Sequence, residues 1–272
     1  MLKGSFMESK LTDFLDSKDS IYHFTTKDTA MEHILNNKSL MLGSFVNTND
    51  PKEYKSKMTS AVGWGWEDRH DLKISKVMSK IDSITKSAGF FSFCENEYKG
   101  QDIVQHGYKK SRMWSQYGYN HSGICLVFSK KLLIEELLKK SDSTTLYAST
   151  IMYQKLDESE GDILSINADE LDTLELDEIS FRHISNNFDK VFFNKQLDYK
   201  DENEFRIIVL SKENEVIHGT TINISKCIKM IILGDSFPKV YMPTIKSLAS
   251  ELNVSFKKLH WESSDYFLLS GD

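Results

Sequence analysis

The order of segments predicts an α+β fold, with mixed or largely antiparallel central β-sheets and helices packed outside. Three observations carry this expectation. Short, near-continuous apolar runs around Phe91, Leu126, Ile207 and Ile231 recur through the middle and end of the chain, as buried strands do. Stretches of helical period lie before and between these runs, without the strict alternation of a parallel βαβ fold. The chain has 272 residues, 40% hydrophobic and 27% charged, enough to bury a sizeable core. Three prolines and 13 glycines form no linker, and no segment repeats, so one domain over 1–272 is expected, with 1–19 as an N-terminal extension.

The elements follow in order. Residues 9–17 read as a short helix and 21–25 as a strand. Thr26 and Asp28 offer caps to a helix whose buried stripe is Met31, Ile34 and Leu35. Residues 39–42 form a brief strand, and 47–51 a turn, because Asn and Asp bond their own backbone and Pro51 fixes its φ. Ile74, Val77, Met78, Ile81 and Ile84 recur at helical spacing and predict a helix over 67–86. Residues 89–94 read as a strand, followed by a polar loop to about Tyr108 and a short helical turn over 111–117. Strand 124–128 precedes a helix capped by Ser129, then strand 145–153. The acidic stretch 157–178 leads into a helix ending near Lys195. Strands 205–210, 220–224 and 228–233, a helix over 241–252 and strands 254–259 and 266–269 complete the chain.

The composition excludes several classes. A net charge of -6 with no basic arm argues against nonspecific duplex binding but leaves a local basic groove open. Cys94, Cys125 and Cys227 are odd in number, far apart and without a CxxC pair, which predicts reduced, buried thiols in a cytoplasmic protein. Residues 1–8 lack the apolar core of a signal peptide, and no apolar run reaches the length of a membrane span. There is no Walker loop, no GxGxxG, no HExxH and no GxSxG. The eight histidines are scattered and none pairs with another at a metal-site spacing, so no metal is expected.

Chemistry is therefore sought among polar residues at the ends of apolar strands. In the run 199–210, strand alternation sets Glu202, Glu204 and Arg206 on one face, continued by Ile208 and Leu210. That face passes from carboxylates to core, as in a strand entering from the rim of a pocket. The plainer reading is an exposed Glu204–Arg206 pair of small energetic weight. His23 lies between Tyr22 and Phe24, and Ser92 between two phenylalanines; a satisfied structural histidine and one-sided exposure would explain them. Asn49, Asp50 and Glu53 surround Pro51, where turn chemistry suffices. Trp114, Tyr117 and His121 share an aromatic segment beside glycines, either as core or as a surface on which a flat ring stacks. Trp114 and Tyr117 are three apart, so a helical turn would put both on one face, expected to border the same cleft as His23.

The order of these segments resembles a family. Tyr22-His-Phe-Thr25, Asn49-Asp-Pro-Lys-Glu53, Phe91-Ser-Phe-Cys-Glu95, Met113-Trp-Ser-Gln-Tyr-Gly118, His121-Ser-Gly-Ile-Cys-Leu126 and Glu202-Asn-Glu-Phe-Arg206 together resemble the bacterial family of unknown function DUF2971, over about residues 20 to the 230s. That family is in turn distantly similar to the ADP-ribosyltransferase fold. Asp201 stands where the family pattern usually has an aromatic residue, and Phe24 where many members of the superfamily have glycine. The resemblance implies an enzyme that consumes NAD as a substrate. Glu204 would stabilise an oxocarbenium-like ribose, and Glu202 would position a nucleophile or acceptor. His23 would bind the adenosine ribose, and Tyr117 or Trp114 would stack on nicotinamide. Thr25, Ser92, His121 and Arg206 would complete the substrate site. The acceptor would be a protein, a nucleic acid or water. Toxin and anti-phage roles, with a defence-system partner protein, are associations of such families. Two other classes stay open: a noncatalytic nucleotide- or protein-binding module, and a metal-dependent nuclease using Asp50, Glu53, Glu202 and Glu204 with Lys195 and Lys200 nearby.

Overall fold

The structure, a computed structural model, describes residues 13–50, 53, 68–139, 142–155, 166, 168–212 and 215–270. Its strands are β1 (Ser20–Thr25), β2 (Ser39–Met41), β3 (Gly43–Ser44), β4 (Gly89–Glu95), β5 (Glu97–Lys99), β6 (Asp102–Gln105), β7 (Ile124–Ser129) and β8 (Thr144–Thr150). They continue as β9 (Met152–Gln154), β10 (Asn194–Gln196), β11 (Glu204–Ser211), β12 (Thr221–Asn223), β13 (Ile228–Leu233), β14 (Ser255–Glu262) and β15 (Asp265–Ser270). One nine-stranded sheet runs β15-β14-β13-β7-β1-β4-β11-β8, with β3 also on β4. Its neighbours are antiparallel except β13 and β14. The fold is thus α+β with a mainly antiparallel central sheet and packed helices, as the segment order predicts.

Strand alternation divides the core. On one face Phe91, Leu126, Ile207 and Ile231 join Ile21, Phe93 and Phe128 in a single apolar cluster, closed by the π-helical turn Thr29–Leu35 and the helix Met242–Leu252. Thr26 starts that turn by accepting from the Thr29 amide at 3.1 Å, and Met31, Ile34 and Leu35 are buried as expected. On the other face there are two clusters. One holds Ile208 with Val77, Ile81 and Ile84 of the helix Asp68–Ser87. The second holds Tyr22, Phe24, Cys94 and Trp114. Among the described residues no helix is long and apolar enough to cross a membrane.

Four expectations need correction. The strand expected over 145–153 is two strands broken at Ile151: β8 pairs with β11 in the central sheet, and β9 pairs with β10 outside it. The polar stretch before Tyr108 contains the hairpin β5–β6, turned at Gly100, whose φ of +67° suits a residue without Cβ. The helix expected to end near Lys195 stops at Phe192, and Lys195 belongs to β10, paired in parallel with β9. Glu202 does not share a strand with Glu204: it closes the 3-10 turn Leu197–Glu202, and Asn203 follows at φ +43°. Asparagine tolerates this left-handed conformation, and its Nδ2 is tied to the carbonyls of Glu95 at 3.0 Å and Asn96 at 3.1 Å. Of the expected helix 9–17, residues 13–15 are helical and 9–12 lie outside the described residues, as does Pro51 of the expected turn. Leu15 is buried, and its carbonyl accepts from Ser20, Tyr22 and Asn96. Residues 13–19 are therefore tied to the sheet.

Candidate functional site

A break in the sheet makes the site. β1 pairs with β7 over six residues, from Ser20 to Thr25. It pairs with β4 only at Ile21 with Glu95 and Tyr22 with Cys94. Beyond Tyr22 the two strands part, while β4 stays in register with β11 from Cys94–Glu204 to Gly89–Val209. A cleft of about 190 Å³ lies at this seam, lined by His23 of β1, Ser92 of β4, and Glu204 and Arg206 of β11. Met113 and Tyr117 line it from the helix Ser111–Gln116 and its C-cap, Thr48 and Asn49 from the segment after the 3-10 turn Phe45–Asn47, and Glu53 and Lys195 of β10 complete it.

His23 uses the gap between the strands. Its Nδ1 lies 3.3 Å from the Ser92 carbonyl oxygen, a ladder acceptor left over where the strands part. A carbonyl only accepts, so Nδ1 carries the proton and Nε2 keeps its lone pair. Burial lowers the imidazole pKa, partly opposed by this bond, so the ring is neutral at pH 7. Its position in the strand alternation places it with Ile21, its edge against Phe93 at 5.9 Å. The thiol of Cys94, also at the seam, is pushed up to about 12 by burial, which leaves it protonated and without nucleophilic character.

Beside the seam lies a buried network of five charged side chains. Glu204 and Arg206 alternate onto one face of β11 and pair twice: Nε to Oε1 at 2.7 Å and Nη2 to Oε2 at 3.1 Å. Arg206 Nη1 donates to the Phe192 carbonyl at 2.9 Å and lies 2.5 Å from Glu53 Oε1. Its guanidinium is centred 5.5 Å from the Phe45 ring and 5.1 Å from that of Phe90, within cation–π range. Lys195 Nζ is 2.8 Å from both Glu202 Oε2 and Glu204 Oε2. Tyr117 donates to Glu202 Oε1 at 2.7 Å, and the Glu204 amide donates to the Tyr153 hydroxyl at 2.8 Å. Burial alone would raise the Glu204 pKa, but Arg206 and Lys195 outweigh it and bring it down to about 2. For Lys195 and Arg206 burial works against the cation, and the surrounding carboxylates overcome it and raise both pKa values. Three carboxylates and two cations leave the network with one net negative charge.

The pair Glu204–Arg206 is therefore buried, each residue 1% exposed, and the exposed-pair reading does not hold. Of the residues singled out in the sequence, His23, Asn49, Glu53, Ser92, Tyr117, Lys195, Glu204 and Arg206 line the cleft. Glu202 reaches it through Lys195 and Tyr117. Trp114 does not. It is fully buried, its Nε1 donates to the Tyr108 carbonyl at 2.6 Å, and Phe24 meets its ring edge-on at 5.0 Å. Trp114 is three residues from Tyr117, but Tyr117 caps the helix end and only its side of the turn reaches the seam. His121 lies in the same aromatic group, stacked on Trp114 with Nε2 2.7 Å from the Tyr266 hydroxyl. Thr25 sits at the far end of β1 opposite Ile124 and does not line the cleft. Trp114, His121 and Thr25 thus lie outside the lining of the cleft, and Trp114 is a packing residue. Lys200 is exposed. Among the described residues no three His, Cys, Asp or Glu side chains group so as to hold a metal ion.

Sequence reasoning undervalued Lys195, Glu53 and Asn49. Asn49 donates to the Tyr117 hydroxyl at 3.3 Å, and its carbonyl accepts from Tyr199 at 3.2 Å. The signal for Lys195 was a lysine two residues after the apolar run Val191-Phe192-Phe193, since a lysine drawn in beside such a run is buried only if paired.

Comparison with known proteins adds one finding. The model of DUF2971, a protein family of unknown function, matches residues 113–207. The match supports that family and spans Tyr117, Lys195, Glu202, Glu204 and Arg206, but not His23 or Ser92. No curated protein and no solved structure matches.

Proposed function

We propose that the seam cleft binds the nicotinamide–ribose end of NAD and that the chain is an NAD-consuming, ADP-ribosyltransferase-like enzyme. The observation that supports this reading is the meeting of His23, Ser92 and Glu204, far apart in sequence, on one cleft at adjoining strands. The cleft's volume is below the roughly 300–1,000 Å³ of a full ligand pocket, so it suits one end of a dinucleotide. Breaking the bond between ribose C1′ and the nicotinamide nitrogen sends the electron pair to the ring, which leaves neutral. The positive charge moves to the ribose. A fixed network with one net negative charge, in a water-poor setting, stabilises that charge as it develops. Glu202 does not line the cleft and acts on the acceptor side through the two groups it holds, the Tyr117 hydroxyl and the Lys195 ammonium, both of which line the cleft. The acceptor adds to C1′ and releases its proton to solvent. The acceptor is a protein, a nucleic acid or water. A toxin or anti-phage setting rests on the family resemblance alone.

A second reading has its own observation. Both oxygens of Glu204 are already held by Arg206 and Lys195, which is what a noncatalytic binding module with a structural ion cluster would show. Chromatographic detection of nicotinamide after incubating the protein with NAD, alone and with protein or nucleic-acid acceptors, separates the two. The transferase reading expects release by the wild type and a fall of roughly 10²–10³-fold in Glu204→Gln. NAD binding without release under every condition would establish the module instead. Cleavage of nucleic acid with magnesium and no NAD would favour the nuclease.

A further inference from the structure

We infer that Lys195 is the positioning residue of this cleft: its ammonium holds Glu202 and Glu204 at one point and sets the charge of the network. The catalytic consequence rests on the NAD reading above; the structural consequence does not.

The geometry assigns the two carboxylates unequal dependence on Lys195. Glu204 has Arg206 on both oxygens as well as Lys195. Glu202 has one cation among the described residues, Lys195, and one further donor, the Tyr117 hydroxyl. Arg206 cannot take over, because its Nε and Nη2 serve Glu204 and its Nη1 serves Phe192 and Glu53. Two carboxylate oxygens each 2.8 Å from one nitrogen are close neighbours. Without that nitrogen they face each other as like charges in a buried site. The backbone fixes the point as well. β10 sets Lys195 opposite Tyr153 of β9, and the Tyr153 hydroxyl accepts from the Glu204 amide. The lysine and the carboxylate it holds are thus anchored to one pair of strands. The Tyr199 ring, centred 5.4 Å from Nζ, covers the ammonium.

The groups facing Lys195 are Glu53, Glu202, Glu204, Arg206, Tyr117, Tyr153 and Tyr199. Removing the lysine takes the network from one net negative charge to two. One carboxylate then gains by binding a proton, and its folded pKa rises above its unfolded value. The sign follows from linkage: a carboxylate raised in the folded state favours folding at low pH, and that advantage is lost as pH rises towards the folded pKa. The wild type has the opposite slope in the acid range, because the lowered pKa of Glu204 costs stability as pH falls from 4.5 towards about 2.

The test compares wild type, Lys195→Met and Lys195→Met/Glu202→Gln. Melting temperature is followed from pH 5 to 8, and nicotinamide release is measured at saturating and limiting NAD. The wild-type melting temperature should itself fall as pH drops below 6.5, because burial lowers the pKa values of His23, His121 and His183. Relative to the wild type at the same pH, Lys195→Met should gain in melting temperature as pH is lowered, and the double variant, whose network again carries one negative charge, should show a difference from the wild type that does not change with pH. Turnover in Lys195→Met should fall by about two orders of magnitude in kcat with little change in KM, because the carboxylates act on the transition state. If Lys195→Met does not fold, recovery of folding in the double variant supports the inference and its failure overturns it. A Lys195→Met profile parallel to the wild type, or unchanged turnover, also overturns it. If the wild type releases no nicotinamide, the NAD reading falls, and the melting profiles still decide the role of Lys195.

Discussion

The charged network at the start of β11 and the aromatic group around Trp114 lie on the same face of the sheet, on either side of one cleft, and they are held together in different ways. In the network each buried charge is satisfied mainly by other buried charges: Arg206 by Glu204 and Glu53, and Lys195 by Glu202 and Glu204. In the aromatic group the partners are neutral: Trp114 Nε1 has the Tyr108 carbonyl, and His121 Nε2 the Tyr266 hydroxyl. The rest is ring packing, with Phe24 against Trp114 and Trp261 against Tyr266. Buried charges that depend on one another are costly to assemble and weak as stabilising devices; where they line a cleft, function is the better reason for them. Aromatic residues beside polar loops need no such reason, because packing explains them.

The interdependence of the buried charges is tested most strongly by Arg206→Met. It leaves Glu204 without its bidentate partner and Glu53 without its cation, and it should cost about 3–5 kcal/mol, read as a shift of the denaturant midpoint at constant slope. A loss below 1 kcal/mol would show that water or rearrangement satisfies the carboxylates and that the network is not interdependent. Trp114→Phe should have the smaller effect. It removes one donor from the buried Tyr108 carbonyl and some ring volume, roughly 1–3 kcal/mol, and it should leave NAD affinity unchanged in a titration. Lost affinity at normal stability would return Trp114 to the site.

Much of this was legible in the chain. Near-continuous apolar runs gave the sheet, since Phe91, Leu126, Ile207 and Ile231 had only one way to leave water together. The i, i+2 spacing of Glu204 and Arg206 gave their shared face. Depth was not legible: the same spacing fits an exposed pair or a buried one, and the difference depends on Phe45, Phe90 and Phe192, which come from elsewhere in the chain. Glu202 was misplaced because one left-handed asparagine interrupts a period of two. Trp114 was over-read because its indole partner, a backbone carbonyl six residues away, leaves no mark in side-chain identity. The parting of β1 from β4 was not legible, because His23, Thr25 and Ser92 in the gap alternate with Phe24, Phe91 and Phe93 as they would in two paired, one-sidedly polar strands.

Ligand is expected to enter at the seam and not at the aromatic group. Hydrogen exchange of backbone amides with and without NAD tests it most directly, because the strands at the seam lack part of their ladder on one side. Slower exchange with NAD over residues 22–25 and 92–95 and over 195–206, with 265–270 unchanged, is the expected result. Protection confined to 119–123 and 265–270, around His121 and Tyr266, would contradict the account.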